Sequence, residues 1–170
     1  HGIESINGNH DRAVTGETSF GFNSLAGRGV EWTRERLDED ELDYIDSLPT
    51  ERDFFDGRVH VAHGAPRRPD KYTYPRDFSP RLLDDEDVLV LGHTHVQGKE
   101  EFDEGTVVNP GSVGQPRDRD PRAGYGVLEL SEGNVEVELH RVEYPVEEVQ
   151  EKIREVGLPE ELATRLAEGR

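Results

Sequence analysis

The sequence contains no cysteine and no methionine. Without thiols it has no disulfide framework, no thiolate nucleophile and no zinc site built on sulfur. It also lacks a long apolar run. Val88-Leu89-Val90-Leu91 is the longest purely aliphatic stretch, far short of the roughly 20 residues that span a bilayer. Positive charge is scarce: 20 Lys and Arg stand against 38 Asp and Glu, a formal net charge of −18. A field of that sign repels phosphate backbones and anionic lipid surfaces. The composition therefore argues against a nucleic-acid binder and a membrane protein, and predicts a cytoplasmic one. The absence of methionine extends to position 1, where His stands. This predicts that His1 is not the natural start, that an N-terminal part is missing, and that Leu166-Ala167-Glu168-Gly169-Arg170 is the natural end. Any upstream targeting signal would lie outside this sequence.

What is present is acidic and patterned. Only Lys71, Lys99 and Lys152 are lysines, so the other basic side chains are arginine. Apolar residues make up 32% of the chain, a low share, yet they fall in periodic blocks with Gly and Pro turns between them, which is not the pattern of a disordered chain. The balance fits adaptation to a salt-rich cytoplasm, where carboxylates keep the surface hydrated and salt screens their repulsion. A length of 170 residues is about one domain, and no repeat or linker divides 1–170.

Along the chain, residues 3–6 read as the end of a strand running into a turn, Asn7-Gly8-Asn9-His10-Asp11. A Gly- and Thr-rich loop and a helical stretch from Trp32 to Leu37 follow. Asp38 with Glu41 forms a capping box, and Leu42, Ile45 and Leu48 give the next helix its inward stripe before Pro49. Residues 58–62 alternate as a strand, 65–80 form a loop, and Val88–Leu91 reads as a fully buried strand. Residues 97–102 and 106–108 make a hairpin about Asp103-Glu104-Gly105, and 125–130 with 135–144 make another. Two short helices, 145–156 and 159–168, close the chain. Strands mixed with helices predict a layered α/β sandwich with mixed β-sheets flanked by helices.

Three segments share one design, a short apolar strand ending in a polar turn that carries His: Asn9-His10-Asp11, His63, and His93 with His95. In open α/β sheets the carboxyl ends of neighbouring strands converge on one crevice. If these strands are neighbours, four histidines, an Asn and an Asp meet there. Imidazole nitrogens with carboxamide or carboxylate oxygens suit divalent Mn, Fe, Ni, Co or Zn in a site open to water. An H-x-H pair can serve two adjacent ions that clamp a phosphoryl group. Each piece alone has an ordinary explanation: a His-Gly turn, or side-chain caps of a tight turn. Their conjunction at strand ends favours a site. His60, inside its strand, and His140, in the late hairpin, do not share the pattern.

Gly8-Asn9-His10-Asp11, His63-Gly64 and Gly92-His93-Thr94-His95 resemble the third, fourth and fifth motifs of the calcineurin-like metallophosphoesterases. Asn109-Pro110-Gly111-Ser112-Val113-Gly114-Gln115-Pro116-Arg117 is similar to the small prokaryotic branch of phosphodiesterases and diadenosine-tetraphosphatase relatives. The resemblance implies two divalent ions in the complete protein. Asn9, His63 and His93 would bind the second metal and His95 the first. His10 would face the scissile phosphate and protonate the leaving oxygen, with Asp11 orienting it. The nucleophile would be a metal-bridging hydroxide. Residues 109–117 would shape the wall, with Arg117 a candidate phosphate contact, and the substrate would be a small phosphorylated or nucleotide-like molecule. The loop 65–80, with Arg67, Arg68, Lys71, Tyr72 and Tyr74, could read its non-reacting part or be simple solvated surface.

The family's first two motifs, Asp-x-His and Gly-Asp, do not precede Gly8 in this sequence. They supply most ligands of the first metal and the bridging carboxylate, and they sit on the fold's first strands. The resemblance therefore implies that this chain alone is inactive or nearly so. The rival readings are a one-metal binding or scaffold module of the same fold and a nuclease, the latter opposed by the charge. The salt adaptation has its own test. Circular dichroism should show the purified chain losing its fold in dilute buffer and keeping it in molar KCl; equal stability in both contradicts that reading.

Overall fold

The computed structural model describes residues 2–16 and 24–170. The predicted Gly- and Thr-rich loop falls largely outside the described residues. The chain runs α1 (Asn9–Thr15), α2 (Ser24–Arg34), α3 (Glu39–Ser47), β1 (Glu51–Phe54), β2 (Val59–Ala62), β3 (Val88–Leu91), β4 (Gly98–Phe102), β5 (Gly105–Asn109), β6 (Ala123–Ser131), β7 (Asn134–Val142), α4 (Val146–Glu155) and α5 (Glu160–Ala167). Single turns of 3-10 helix at Pro75–Asp77 and Pro80–Leu82 punctuate the connection from β2 to β3.

Five strands form a mixed sheet in the order β1-β2-β3-β5-β4, and β6-β7 form a second, two-stranded sheet. β2, β3 and β5 are parallel, whereas β1 and β4 pair antiparallel at the two edges. β3 is apolar throughout because both faces are covered, as parallel strands require. Val88 joins Val59, Val108 and Val137 in a core shared with Leu128, Leu130, Val135 and Leu139 of the second sheet. Leu89 and Leu91 face the other way, with Ala62, Val107 and Leu83 and the flanking Phe78, Leu82 and Phe102. Each fully buried aliphatic side chain contributes about 1.5–3 kcal/mol relative to exposure. The helices pack in two groups, α1 with α2 and α3, and α4 with α5. The architecture is the predicted α/β sandwich, a mixed sheet with helices beside it.

The predicted hairpins, the buried strand and the closing helices lie where the periodicity placed them, within a residue or two. Asp38 caps α3 as expected: its carboxylate accepts the Glu41 N–H at 2.9 Å, and the Glu41 carboxylate accepts the Asp38 N–H at 3.0 Å. Three readings need correction. Residues 3–6 belong to no strand: Ile3 is exposed, and the segment is tied to the fold by Glu4, which accepts from Arg52 at 2.8 Å, and by the following Asn7, whose N–H donates to the Pro49 carbonyl at 2.9 Å. Two isoleucines three residues apart do not make a strand without a ladder partner. Asn9-His10-Asp11 is the first turn of helix α1, not an isolated turn. Asp11 accepts the Gly8 N–H at 2.7 Å, and Ala13 and Val14 bury the helix behind it. α2 ends at Arg34, short of Leu37, although the Leu37 N–H still donates to the Thr33 carbonyl. The sequence reading also lacked β1, whose Glu-Arg-Asp-Phe carries no apolar alternation; charge is how edge strands resist adding a further strand.

Candidate metal centre

The site is set by the register of two parallel strands. Ala62 of β2 stands opposite Leu91 of β3, so His63 and Gly92-His93 leave the sheet side by side. The Gly92 N–H donates to the His63 carbonyl at 2.9 Å, fixing the two exits together. α1 arrives from the other side through Gly8, against which the His63 ring packs so closely that an added Cβ would lie 2.7 Å from its Cε1.

Three donors then converge. His63 Nε2 lies 3.0 Å from Asn9 Oδ1 and 3.1 Å from His93 Nδ1. Such separations suit donors that share one small cation at bond lengths of about 2.0–2.2 Å. His95 is arranged as metal-bound imidazoles usually are, with the far N–H turned to an oxygen. His95 Nδ1 is 2.8 Å from the Gln115 carbonyl, which assigns the proton there and leaves Nε2 as the lone-pair nitrogen. His93 Nε2 is buried without a hydrogen-bond partner. Among the described residues no group of three or more His, Asp or Glu side chains is placed to hold a metal ion. The converging set is completed by a carboxamide, and it fits one ion. His95 alone does not make a second site.

The turn after β3 is strained in the service of this geometry. His93 and His95 both adopt left-handed backbone, with φ 61° and 59°, a conformation that costs non-glycine residues energy and marks functional turns. Fully buried Asn109 holds it. Its Nδ2 donates to the Gly92 carbonyl at 2.7 Å and to Thr94 Oγ1 at 3.0 Å, and its Oδ1 accepts the Gly111 N–H at 2.9 Å. The segment 109–117 therefore does shape the wall, and Asn109 is the tie that the sequence alone did not single out.

Burial lowers the proton affinity of all four histidines. Burial, then the charges of His93 and Arg12, lower His63 to about 3. Burial, then Arg117, lower His95 to about 4. Burial lowers His93, against the opposing pull of Asp70. His10, which still meets solvent, is lowered by partial desolvation and by Arg117, while Asp11 opposes the shift. Neutral imidazole is the form a metal needs.

Other residues frame the centre. The Tyr72 ring packs on His93 with centroids 4.0 Å apart. Buried Arg12 binds Asp70 and Asn7, joining α1 to the loop that carries Tyr72. Arg117 donates to Gln115 Oε1 at 3.2 Å, and Arg165 of α5 reaches the same neighbourhood, its charge acting on His10. Arg165 has no role at the site that the sequence assigns, because helix α5 carries no catalytic or ligand motif. His60 sits apart, 2.7 Å from Asp53 and 3.3 Å from Glu51 on the neighbouring edge strand. His140 stacks on Tyr125 in the second sheet.

A sequence model of the calcineurin-like phosphoesterase superfamily domain matches residues 2–133. The chain belongs to this superfamily. It is 33% identical to an uncharacterized protein of Methanocaldococcus jannaschii, over 98% of this chain and 75% of that protein. Among solved structures it is similar to a metallophosphoesterase from Sphaerobacter thermophilus, at 34% identity and a TM-score of 0.73, over 97% of this chain and 76% of the other. A hypothetical protein from Pyrococcus horikoshii shares the fold at 20% identity and a TM-score of 0.83, over 99% of this chain and 74% of the other. Calcineurin-like phosphoesterases use divalent metal ions, and the Asn9, His63 and His93 donors suit one. Among the described residues no helix is long and apolar enough to cross a membrane.

The lowered histidines set a pH dependence of the metal-free protein. Unfolded His binds a proton near pH 6.5, whereas folded His63 and His95 resist it down to about 3 and about 4. Their contribution to stability is thus whole above about pH 6.5 and is lost as the pH falls toward the folded values. Urea denaturation in EDTA should show the wild type losing more stability than His63→Asn or His95→Asn between about pH 6.5 and pH 5. Parallel pH profiles would contradict the assignment.

Proposed function

We propose that this protein is a metal-dependent phosphoesterase, hydrolysing a phosphodiester or phosphomonoester of a small phosphorylated or nucleotide-like substrate. The observation that carries the reading is the meeting of Asn9 Oδ1 and His93 Nδ1 at His63 Nε2, at 3.0 and 3.1 Å from it. In this reading the three hold one divalent ion, with Mn, Fe, Ni, Co and Zn all compatible with N/O donors. When bound, such ions polarise a phosphoryl oxygen and make hydroxide available near neutral pH. His95, whose Nε2 keeps the lone pair, would serve a second ion together with ligands from the Asp-x-His and Gly-Asp motifs that this sequence does not contain.

The chain's own residues supply the rest. His10, in the first turn of α1 beside Asn9, donates a proton to the leaving oxygen. A phosphoryl anion in front of His10 raises its proton affinity, opposing the desolvation and Arg117 charge that lower it in the free protein. Asp11 holds the Gly8 N–H, and its charge favours the His10 proton. Arg117 balances phosphoryl charge. The reading implies that this chain without the two motifs turns over little or no substrate. A one-metal binding module of the same fold is the second reading, favoured by the absence, among the described residues, of any group of three or more His, Asp or Glu side chains able to hold a metal ion.

The test uses a form of the protein extended at its N-terminus to carry both motifs, assayed with Mn on bis-p-nitrophenyl phosphate, p-nitrophenyl phosphate and a single-stranded oligonucleotide. At least one of the small esters should be cleaved and the oligonucleotide spared. His10→Ala should lower turnover by about 10²–10⁴-fold with metal content unchanged. Metal loss from that variant would make His10 a ligand, and metal binding without hydrolysis would establish the binding module.

A further inference from the structure

The loop between β5 and β6 meets the end of α5. The Arg119 N–H donates to the Gly169 carbonyl at 3.0 Å, and Gln115 Nε2 donates to the Arg170 carbonyl at 3.0 Å. On the site side the Arg117 N–H donates to the His95 carbonyl at 3.0 Å. This contact brings Arg117 of the loop and Arg165 of α5 close enough to His10 for both charges to act on it. Both are half-buried.

In a chain with 38 acidic residues, cations ordinarily find carboxylates. Here the acids of the same region are already engaged: Asp118 with Arg141, Asp120 with Arg122, and Glu168 with Arg170. Among the described residues neither Arg117 nor Arg165 makes an ion pair. The side-chain hydrogen bond of Arg117 goes to a neutral amide, and Arg165 Nε is buried with no acceptor. Each charge acts on the other and on His10. Two like charges held together and partly desolvated cost free energy unless an anion joins them. Two guanidinium groups that no carboxylate pairs with are the arrangement that takes a phosphate through charge-assisted hydrogen bonds.

We propose that Arg117 and Arg165 together form the seat of a doubly charged phosphoryl group beside His10, so that the substrate is a phosphomonoester rather than a diester. The inference rests on the phosphoesterase reading for its chemistry, but the seat is built from residues that hold no metal. A monoester dianion matches the two guanidinium charges. A diester carries one charge and replaces an acceptor oxygen with an ester group, so it engages the pair less well. Local attraction must also overcome the repulsion of a −18 surface, which again favours the ligand with more charge to pair.

Isothermal titration calorimetry on the chain in EDTA, at one fixed KCl concentration and pH 7.5, separates this seat from any metal. Inorganic phosphate should bind, and dimethyl phosphate should bind at least about tenfold more weakly. Arg117→Gln and Arg165→Gln should each weaken phosphate by about 10–100-fold, the loss of one charge-assisted contact. Arg170→Gln, which removes a cation already paired with Glu168, should leave binding unchanged. Circular dichroism reports folding, and if Arg165→Gln unfolds, Arg117→Gln decides. Phosphate bound equally by wild type and Arg117→Gln, or dimethyl phosphate bound as tightly as phosphate, overturns the proposal. His63→Ala separates the two readings: it should abolish Mn binding yet keep phosphate binding in EDTA. Retention of Mn by that variant would count against the metal centre and leave the arginine seat standing.

Discussion

The parallel register of β2 against β3 is the constraint from which the rest follows. With Ala62 opposite Leu91, the residues after each strand emerge at the same level, and His63 and His93 face each other without a long connection. A register slip of one residue would turn the side chains of β3 to the opposite faces. It would expose Leu89 and Leu91 to the wrong core as well as part the two histidines. The apolar alternation that separates Val88 and Val90 from Leu89 and Leu91 thus fixes the site as firmly as it fixes the sheet. The costs paid around it make the same point. Two histidines in left-handed backbone are stable only because Asn109, wholly buried and with both side-chain atoms engaged, holds the turn that contains them.

Electrostatics divides the molecule into two regimes. The surface is dominated by carboxylates, many in local pairs with arginine such as Arg58 with Asp87 and Arg154 with Glu160. Exposed pairs of this kind contribute little to stability individually. Around the metal centre the pattern reverses: neutral imidazoles, a carboxamide, and guanidinium groups of which Arg12 alone meets a carboxylate. Under the proposed function, an anionic ligand repelled by the surface at large meets groups able to receive it in this crevice.

Much of this was legible in the sequence where one local signal sufficed. β3 announced itself by unbroken aliphatic residues, the α3 cap by Asp38 and Glu41, and both hairpins by alternation around Gly turns. The strand-end histidines could be grouped because a parallel sheet delivers strand ends to one crevice. Other features were hidden for physical reasons. β1 is a charged edge strand whose formation depends on β2, so its own residues carry no pattern. Residues 3–6 carry Ile at each end but find no ladder among the described residues. Asn9-His10-Asp11 looks like a turn because its helical register is set by Gly8 and by burial of Ala13 and Val14 further on. Arg165 and Asn109 act through tertiary contacts with residues remote in sequence, which no local pattern records.

The central claim is that Asn9, His63 and His93 form a preorganised half of a metal centre in this chain. Anomalous diffraction from crystals of the chain grown with manganese chloride tests it most directly. The account predicts a single strong peak bounded by Asn9 Oδ1, His63 Nε2 and His93 Nδ1, with His95 Nε2 turned toward it. Crystals in which those three atoms keep their mutual contacts and the manganese lies elsewhere, or nowhere, would contradict the account.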